Sequence, residues 1–231
     1  MTTEAATSHT DPTVPGTGVR QLLPDLWETR EFIVPNGPRT HSYLWTPPSG
    51  QNILFYSPGN DQDFAQLDRL GGVARQYLSH QDEAGPMLRA VADRFGNRLH
   101  APAAEAGEIG SYTPIDTPLA ERAVDDAGVE IIPTPGHSPG STCYLVPGHG
   151  GLTYLFTGDT LLRYADGIWR AGYVPGYSDK DGLRTALDTL ATVEPDVVIS
   201  SAFVSGAAAF HRVDRTTTWR SILDQARSEL S

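Results

Sequence analysis

One stretch restricts this chain more than any other: Thr134-Pro135-Gly136-His137-Ser138-Pro139-Gly140-Ser141-Thr142. An apolar run at 129–134 leads into it, and a second at 141–146 leads out. Both runs read as strands. Proline fixes φ and glycine admits turn conformations closed to other residues, so two Pro-Gly pairs frame a single histidine between the strands. Such a loop presents an imidazole at a sheet edge with little chain entropy left to lose. The fold must therefore be built on sheets whose strand ends carry function.

The remaining pattern agrees. Short apolar runs at 40–45 and 52–56 are separated by Pro47-Pro48-Ser49-Gly50, and Pro35-Asn36-Gly37-Pro38 marks an earlier turn. The opening thus reads as a meander of strands. Residues 61–70 suit a short helix closed by Gly71-Gly72, and 73–78 a strand ending at Ser79-His80. Met87, Leu88, Val91, Ala92 and Phe95 recur at helical spacing, with Gly96 as the stop. A strand is expected at 98–101, loops with short strand pieces at 105–126, and two strands at 141–146 and 152–157. A helix is expected at 180–192, a buried strand at 197–199 and a final helix at 216–230. Sheets covered by helices satisfy this order.

The chain has 231 residues, enough for one large domain or two small ones. Residues 1–20 read as a disordered polar tail, with His9 solvated, and 21–231 as the folded domain. The tail lacks the apolar core of a signal peptide, and no run of about 18 apolar residues is present. A cytoplasmic location is the resulting expectation. The net charge of −11 argues against nucleic acid and anionic membrane as partners and leaves a small-molecule substrate. The one cysteine, Cys143, excludes an intramolecular disulfide and a cysteine-rich zinc finger.

Two further segments carry candidate chemistry. Leu155-Phe156-Thr157-Gly158-Asp159-Thr160 delivers a carboxylate at the end of an apolar strand. Tyr77-Leu78-Ser79-His80-Gln81-Asp82-Glu83-Ala84-Gly85 lies at a strand-to-helix junction. Together with the His137 loop, these segments resemble the metallo-β-lactamase superfamily, in the broad sense that includes glyoxalase-II-like hydrolases. The resemblance spans about residues 21–205. It implies an α/β fold, a four-layer αββα sandwich, in which strand ends hold one or two metal ions, usually zinc. Metal-activated water then attacks an ester, thioester or amide.

The resemblance carries over residue by residue, and only in part. His80, Asp82 and Gly85 match the second histidine, the aspartate and the glycine of H-x-H-x-D-H-x-G. Leu78 stands where the first histidine belongs, and Glu83 where the last does. In a shifted register His80 becomes the first histidine and Asp82 replaces the second. His137 matches the third histidine and Asp159 the bridging aspartate. The final Pro-Gly-His ligand is absent, with Ser200-Ser201-Ala202-Phe203 in its place, and Ser57-Pro58-Gly59 lacks the carboxylate of the family's early turn. The implied ligands are His80, Asp82, His137 and Asp159, with Glu83 as a candidate fifth and Asp82 also as the catalytic base. This set suits one divalent ion, zinc first, with iron or manganese as alternatives.

Each residue also has a structural reading. His137 and His80 suit hydrogen-bonded turn and strand-end histidines, and Asp159 a turn cap. Asp82 suits a helix N-cap, and Glu83 a first-turn residue complementing a helix dipole. His149, in Pro147-Gly148-His149-Gly150, imitates the terminal ligand motif but falls too early in the chain and reads as a hairpin tip. His211 follows the strand where the last ligand belongs. His41 and His100 read as structural or solvated. Trp169, Tyr173 and Tyr177 line a pocket or fill core. Three functions are compatible: a mononuclear hydrolase of a small ester, thioester or lactone; a metal-free binding module; or a lyase or isomerase using carboxylate bases.

Overall fold

The computed structural model describes residues 18–213 and 218–230. The first half runs β1 (Arg20–Leu23), β2 (Leu26–Glu28), β3 (Phe32–Ile33), β4 (Arg39–Thr40), β5 (Tyr43–Trp45) and β6 (Ile53–Phe55). It continues through α1 (Phe64–Arg69), β7 (Arg75–Tyr77), α2 (Pro86–Phe95), β8 (Arg98–Pro102), α3 (Ala106–Gly110) and β9 (Thr117–Leu119). The second half holds β10 (Ala123–Val124), β11 (Glu130–Pro133), β12 (Thr142–Pro147), β13 (Thr153–Gly158), β14 (Leu161–Arg163) and β15 (Trp169–Ala171). Then come α4 (Lys180–Leu190), β16 (Val197–Ser200), β17 (Ala202–Phe203), β18 (Phe210–Arg212) and α5 (Trp219–Ser228).

Seven strands form one sheet in the order β1-β2-β5-β6-β7-β8-β9, and six form the other, β10-β11-β12-β13-β16-β18. Alternation decides the layers. Tyr43, Trp45, Ile53, Phe55 and Tyr77 of the first sheet meet Ile131, Tyr144, Tyr154, Phe156 and Ile199 of the second. Phe55 and Phe156 stack with centroids 3.8 Å apart. Burial of each such ring contributes on the order of 2–3 kcal/mol. The opposite faces pack against helices: Leu44 and Leu54 against Phe64, Leu67 and Val91, and Ile132, Leu155 and Val198 against Leu183, Leu187, Ile222 and Leu223. The result is the expected four-layer αββα sandwich.

The helices begin and end where their sequence signals lie. Pro86 opens α2, and Gly96, at φ 62°, closes it in the left-handed region. Asp179 accepts the backbone N–H of Asp181 at the start of α4. Leu183, Ala186, Leu187 and Leu190 bury one face of that helix. Thr218 caps α5, whose described part begins at Trp219, and the start expected at 216 lies outside the described residues. The stretch 105–126 departs from the loop-and-strand expectation, because it also holds the short helix α3. Five residues including two glycines carry too little periodicity to be read as a helix. The tail expected over 1–20 lies outside the described residues except for its last three. Of these, Val19 donates its N–H to Gln66 and Arg20 opens β1. No described helix is long and apolar enough to cross a membrane.

His41 and His100 are structural. The His41 ring stacks on Phe203, and its Nδ1 lies 2.7 Å from the Thr29 carbonyl. His100 stacks on Tyr77 at 4.2 Å with neither ring nitrogen hydrogen-bonded. Burial, helped by the Arg75 charge, pushes the His100 pKa down to about 4. Between pH 6.5 and 4 the unfolded chain takes up a proton that the folded one refuses, so stability falls as pH falls through that window. Replacement of His100 by Phe is expected to flatten the unfolding free energy from chemical denaturation against pH there, by on the order of 1–2 kcal/mol after solvent screening. A profile parallel to that of the parent would contradict this.

Candidate metal centre

Three loops at the strand ends converge. Beyond β7, residues 79–83 carry His80, Asp82 and Glu83. The turn between β11 and β12 carries His137, and Asp159 follows β13 directly. Gly136 brings the His137 turn against α4: it has φ 154°, and a Cβ there would lie 2.5 Å from the Leu183 nitrogen. The Asp179 N–H, at the head of α4, donates to the Gly136 carbonyl. Thr142 N–H donates to Ser79 O, tying β12 to the His80 loop across the two sheets.

His80, His137 and Asp159 place ligand atoms within 4.8 Å of one another. Asp82 joins them, its Oδ2 lying 3.8 Å from His80 Nε2 and 3.5 Å from His137 Nε2. Asp159 Oδ2 lies 3.8 and 3.9 Å from the same two nitrogens. Atoms bound tetrahedrally to one zinc at about 2.1 Å stand about 3.4 Å apart, so the spacing fits a single ion.

The outer atoms settle which ring nitrogens face inward. His137 Nδ1 lies 2.6 Å from the Gly172 carbonyl, which can only accept, so Nδ1 carries a proton. Ser79 Oγ donates to Glu83 Oε1 and lies 2.8 Å from His80 Nδ1. Both Nε2 atoms are buried and have no hydrogen-bond partner, an arrangement that is costly unless a ligand completes it. Asp159 Oδ1 accepts from Ser201 Oγ at 2.5 Å and from Ala202 N at 3.2 Å, leaving Oδ2 for the centre. Asp82 Oδ1 accepts from Tyr177 OH, likewise freeing its Oδ2.

The carboxylates give this spot a demand for positive charge. Burial lowers the His80 pKa, but Glu83, Asp159 and Asp82 outweigh it and hold it up to about 9. Burial raises the Asp82 carboxyl, and contacts with His137, His80 and Tyr177 overcome that and leave it lowered.

The candidate residues do not all converge. Glu83 lies on the far side of the His80 ring. Its oxygens accept from Ser79 N and Oγ, and Oε1 is 3.4 Å from Nδ1. It positions His80 from behind and does not face the centre. Leu78 is buried among Leu88, Leu99, Ala101 and Ile109. Ser200 Oγ donates to Ala202 O. The site therefore holds the same residues in either register of the H-x-H-x-D-H comparison. His149 lies between β12 and β13, and His211 packs its ring edge against Trp169, so neither joins the site. Tyr177 does, through Asp82, whereas Trp169 is core.

Glu105 had no signal in the sequence. Its buried carboxylate accepts Gln81 N–H at 2.7 Å and Gly140 N–H at 2.8 Å, joining the His80 and His137 loops. Gly172 and Ser201 were missed too, because their roles rest on a carbonyl and a hydroxyl brought in from distant strands.

A two-sheet αββα sandwich with imidazoles and carboxylates gathered at its strand ends defines a class of metal-binding folds. The chain belongs to the metallo-beta-lactamase superfamily, whose family model matches residues 63–202. A curated relative, hydroxyacylglutathione hydrolase from Mesorhizobium japonicum, is 32% identical over 127 residues, covering 52% of this chain and 47% of the relative. The chain thus spans about half the length of that relative. Among solved structures, a metallo-beta-lactamase from Cronobacter sakazakii with a HARLDQ motif is similar, with TM-score 0.63 and 18% identity, covering 81% of this chain and 79% of that one. The FIM-1 enzyme from Pseudomonas aeruginosa, in a mono-zinc form, gives TM-score 0.68 and 17% identity over 94% and 95% of the two chains.

Proposed function

We propose that this chain is a hydrolase of a small ester, thioester or lactone that works with one divalent ion held by His80, His137 and Asp159. One observation carries the reading: two buried Nε2 atoms converge with no partner while the outward face of each ring is held by its neighbours. Two imidazoles and a carboxylate suit zinc, with iron or manganese as alternatives. The ion, when bound, supplies Lewis acidity for polarising a carbonyl and activating water.

The chain's own groups do the rest. Tyr177 OH fixes Oδ1 of Asp82, so Oδ2 is left to accept a proton from water at the centre. Glu83 and Ser79 orient His80, and the Gly172 carbonyl orients His137. The water oxygen joins the acyl carbon, the C–O or C–S bond breaks, and the departing alcohol or thiol takes a proton. Leu78, Glu83 and Ser200, in place of family histidines, favour a second reading, a metal-free binding protein.

Elemental analysis of the purified protein, beside a thermal-shift series with Zn²⁺, Mn²⁺ and Fe²⁺, separates the two. The hydrolase reading expects about one ion per chain, a raised Tm and turnover in an ester and thioester screen. Neither metal nor shift would leave the binding protein.

A further inference from the structure

A cleft of about 160 Å³ opens directly from the metal centre, with His137 and Asp159 in its wall. Its other walls are mainly apolar: Pro38, Leu162, Tyr173, Val174, Phe203 and Val204. Among the described residues lining it, the one lysine or arginine is Arg163, whose Nε donates to the Gly167 carbonyl of its own hairpin.

The apolar character continues outside the cleft. Ile33, Tyr173, Val174, Tyr177 and Val204 are exposed large hydrophobic residues, and all belong to segments bordering the site. Tyr173, Val174 and Val204 line the cleft itself, and Tyr177 holds Asp82. Ile33 stands apart from them, since the charged Arg39 lies between it and Phe203 in the cross-strand row, so the apolar surface is carried by Tyr173, Val174 and Val204. Exposed apolar side chains scattered singly have no meaning, but a cluster continuous with a reactive centre marks a ligand surface. On a chain of net charge −11, this cluster stands out.

We infer that the cleft takes the apolar acyl chain of the substrate, so that the site selects esters or thioesters with unbranched acyl groups of about four to eight carbons. This rests on the hydrolase reading above and adds the substrate class to it. The acyl carbonyl lies toward His137 and Asp159, the chain runs between Val174 and Phe203, and the alcohol or thiol leaves on the solvent side. Each methylene withdrawn from water strengthens binding. A short polar acyl group, such as the hydroxyacyl group in the name of the Mesorhizobium relative, gains nothing from these walls.

The test uses the zinc-loaded full chain with acetyl, butyryl, hexanoyl and octanoyl p-nitrophenyl esters and thioesters. Binding of hexanoate and of lactate to the same protein is followed separately by calorimetry. The inference expects kcat/KM to rise about tenfold or more from acetyl to hexanoyl, and hexanoate to bind where lactate does not. Val174→Asp and Val204→Asp, both at exposed positions, should each cut the hexanoyl-to-acetyl ratio several-fold and weaken hexanoate. Turnover with no dependence on chain length overturns the inference and leaves the hydrolase reading standing. Hexanoate binding that Val174→Asp weakens, with no ester or thioester cleaved, supports the apolar cleft and removes the hydrolase reading. Equal binding of hexanoate and lactate overturns the inference whatever the turnover.

Discussion

His137→Ala is expected to lower bound metal from about one ion per chain to a small fraction, and hydrolysis by about 10³-fold or more. The imidazole is buried and its Nε2 faces both Asp82 and Asp159, so no neighbouring group replaces it. The chain itself should survive. The substitution removes one hydrogen bond to the Gly172 carbonyl and leaves a small void, together about 1–3 kcal/mol. Metal content, turnover and Tm therefore separate a lost ligand from a lost fold. Parent-level turnover in a folded His137→Ala protein would remove His137 from the mechanism.

The second large effect lies outside the ligand set. Gly172→Ala is expected to destabilise the protein by about 2–3 kcal/mol and to weaken metal binding about 10- to 100-fold. A Cβ on Gly172 would lie 1.8 Å from the Asp159 carbonyl oxygen and 3.2 Å from His137 Nδ1. Backbone has to move: yielding on one side shifts Asp159, and on the other it shifts the Gly172 carbonyl that holds His137. Chemical denaturation and competition with a chromogenic chelator measure the two effects. Unchanged metal affinity would mean that the Gly172 carbonyl is not what orients His137.

The sequence made the site's inner residues legible because each stands at a local signal. His137 sits between two Pro-Gly pairs, Asp159 ends an apolar strand, and His80 and Asp82 lie where a strand gives way to a helix. The supporting residues have no such signal. Glu105 lies 24 residues from Gln81 and 35 from Gly140, Ser201 lies 42 from Asp159, and Tyr177 lies 95 from Asp82. Only the fold brings them together. Glu83 shows the opposite error: its place in the motif suggested a ligand, but the tight 81–83 turn directs its carboxylate back to Ser79. Sequence order alone did not distinguish the inner side of the imidazole from the outer.

Tyr56 links the two sheets in a way that bears on how the halves can exist. It follows β6 at φ 69°, an unusual conformation for an aromatic residue, held by its N–H to Tyr77 O and by Gln76 Nε2 donating to its carbonyl. Its hydroxyl donates to Ile199 O and accepts from Gly158 N. Those two backbone groups flank the register shift where β13 and β16 fail to pair. A side chain from the first half thus fills a missing rung in the ladder of the second. Two fragments cut near residue 121, in the exposed stretch between β9 and β10, should behave as complementing pieces. Neither would assemble the His80–His137–Asp159 cluster alone, and mixing them should restore it.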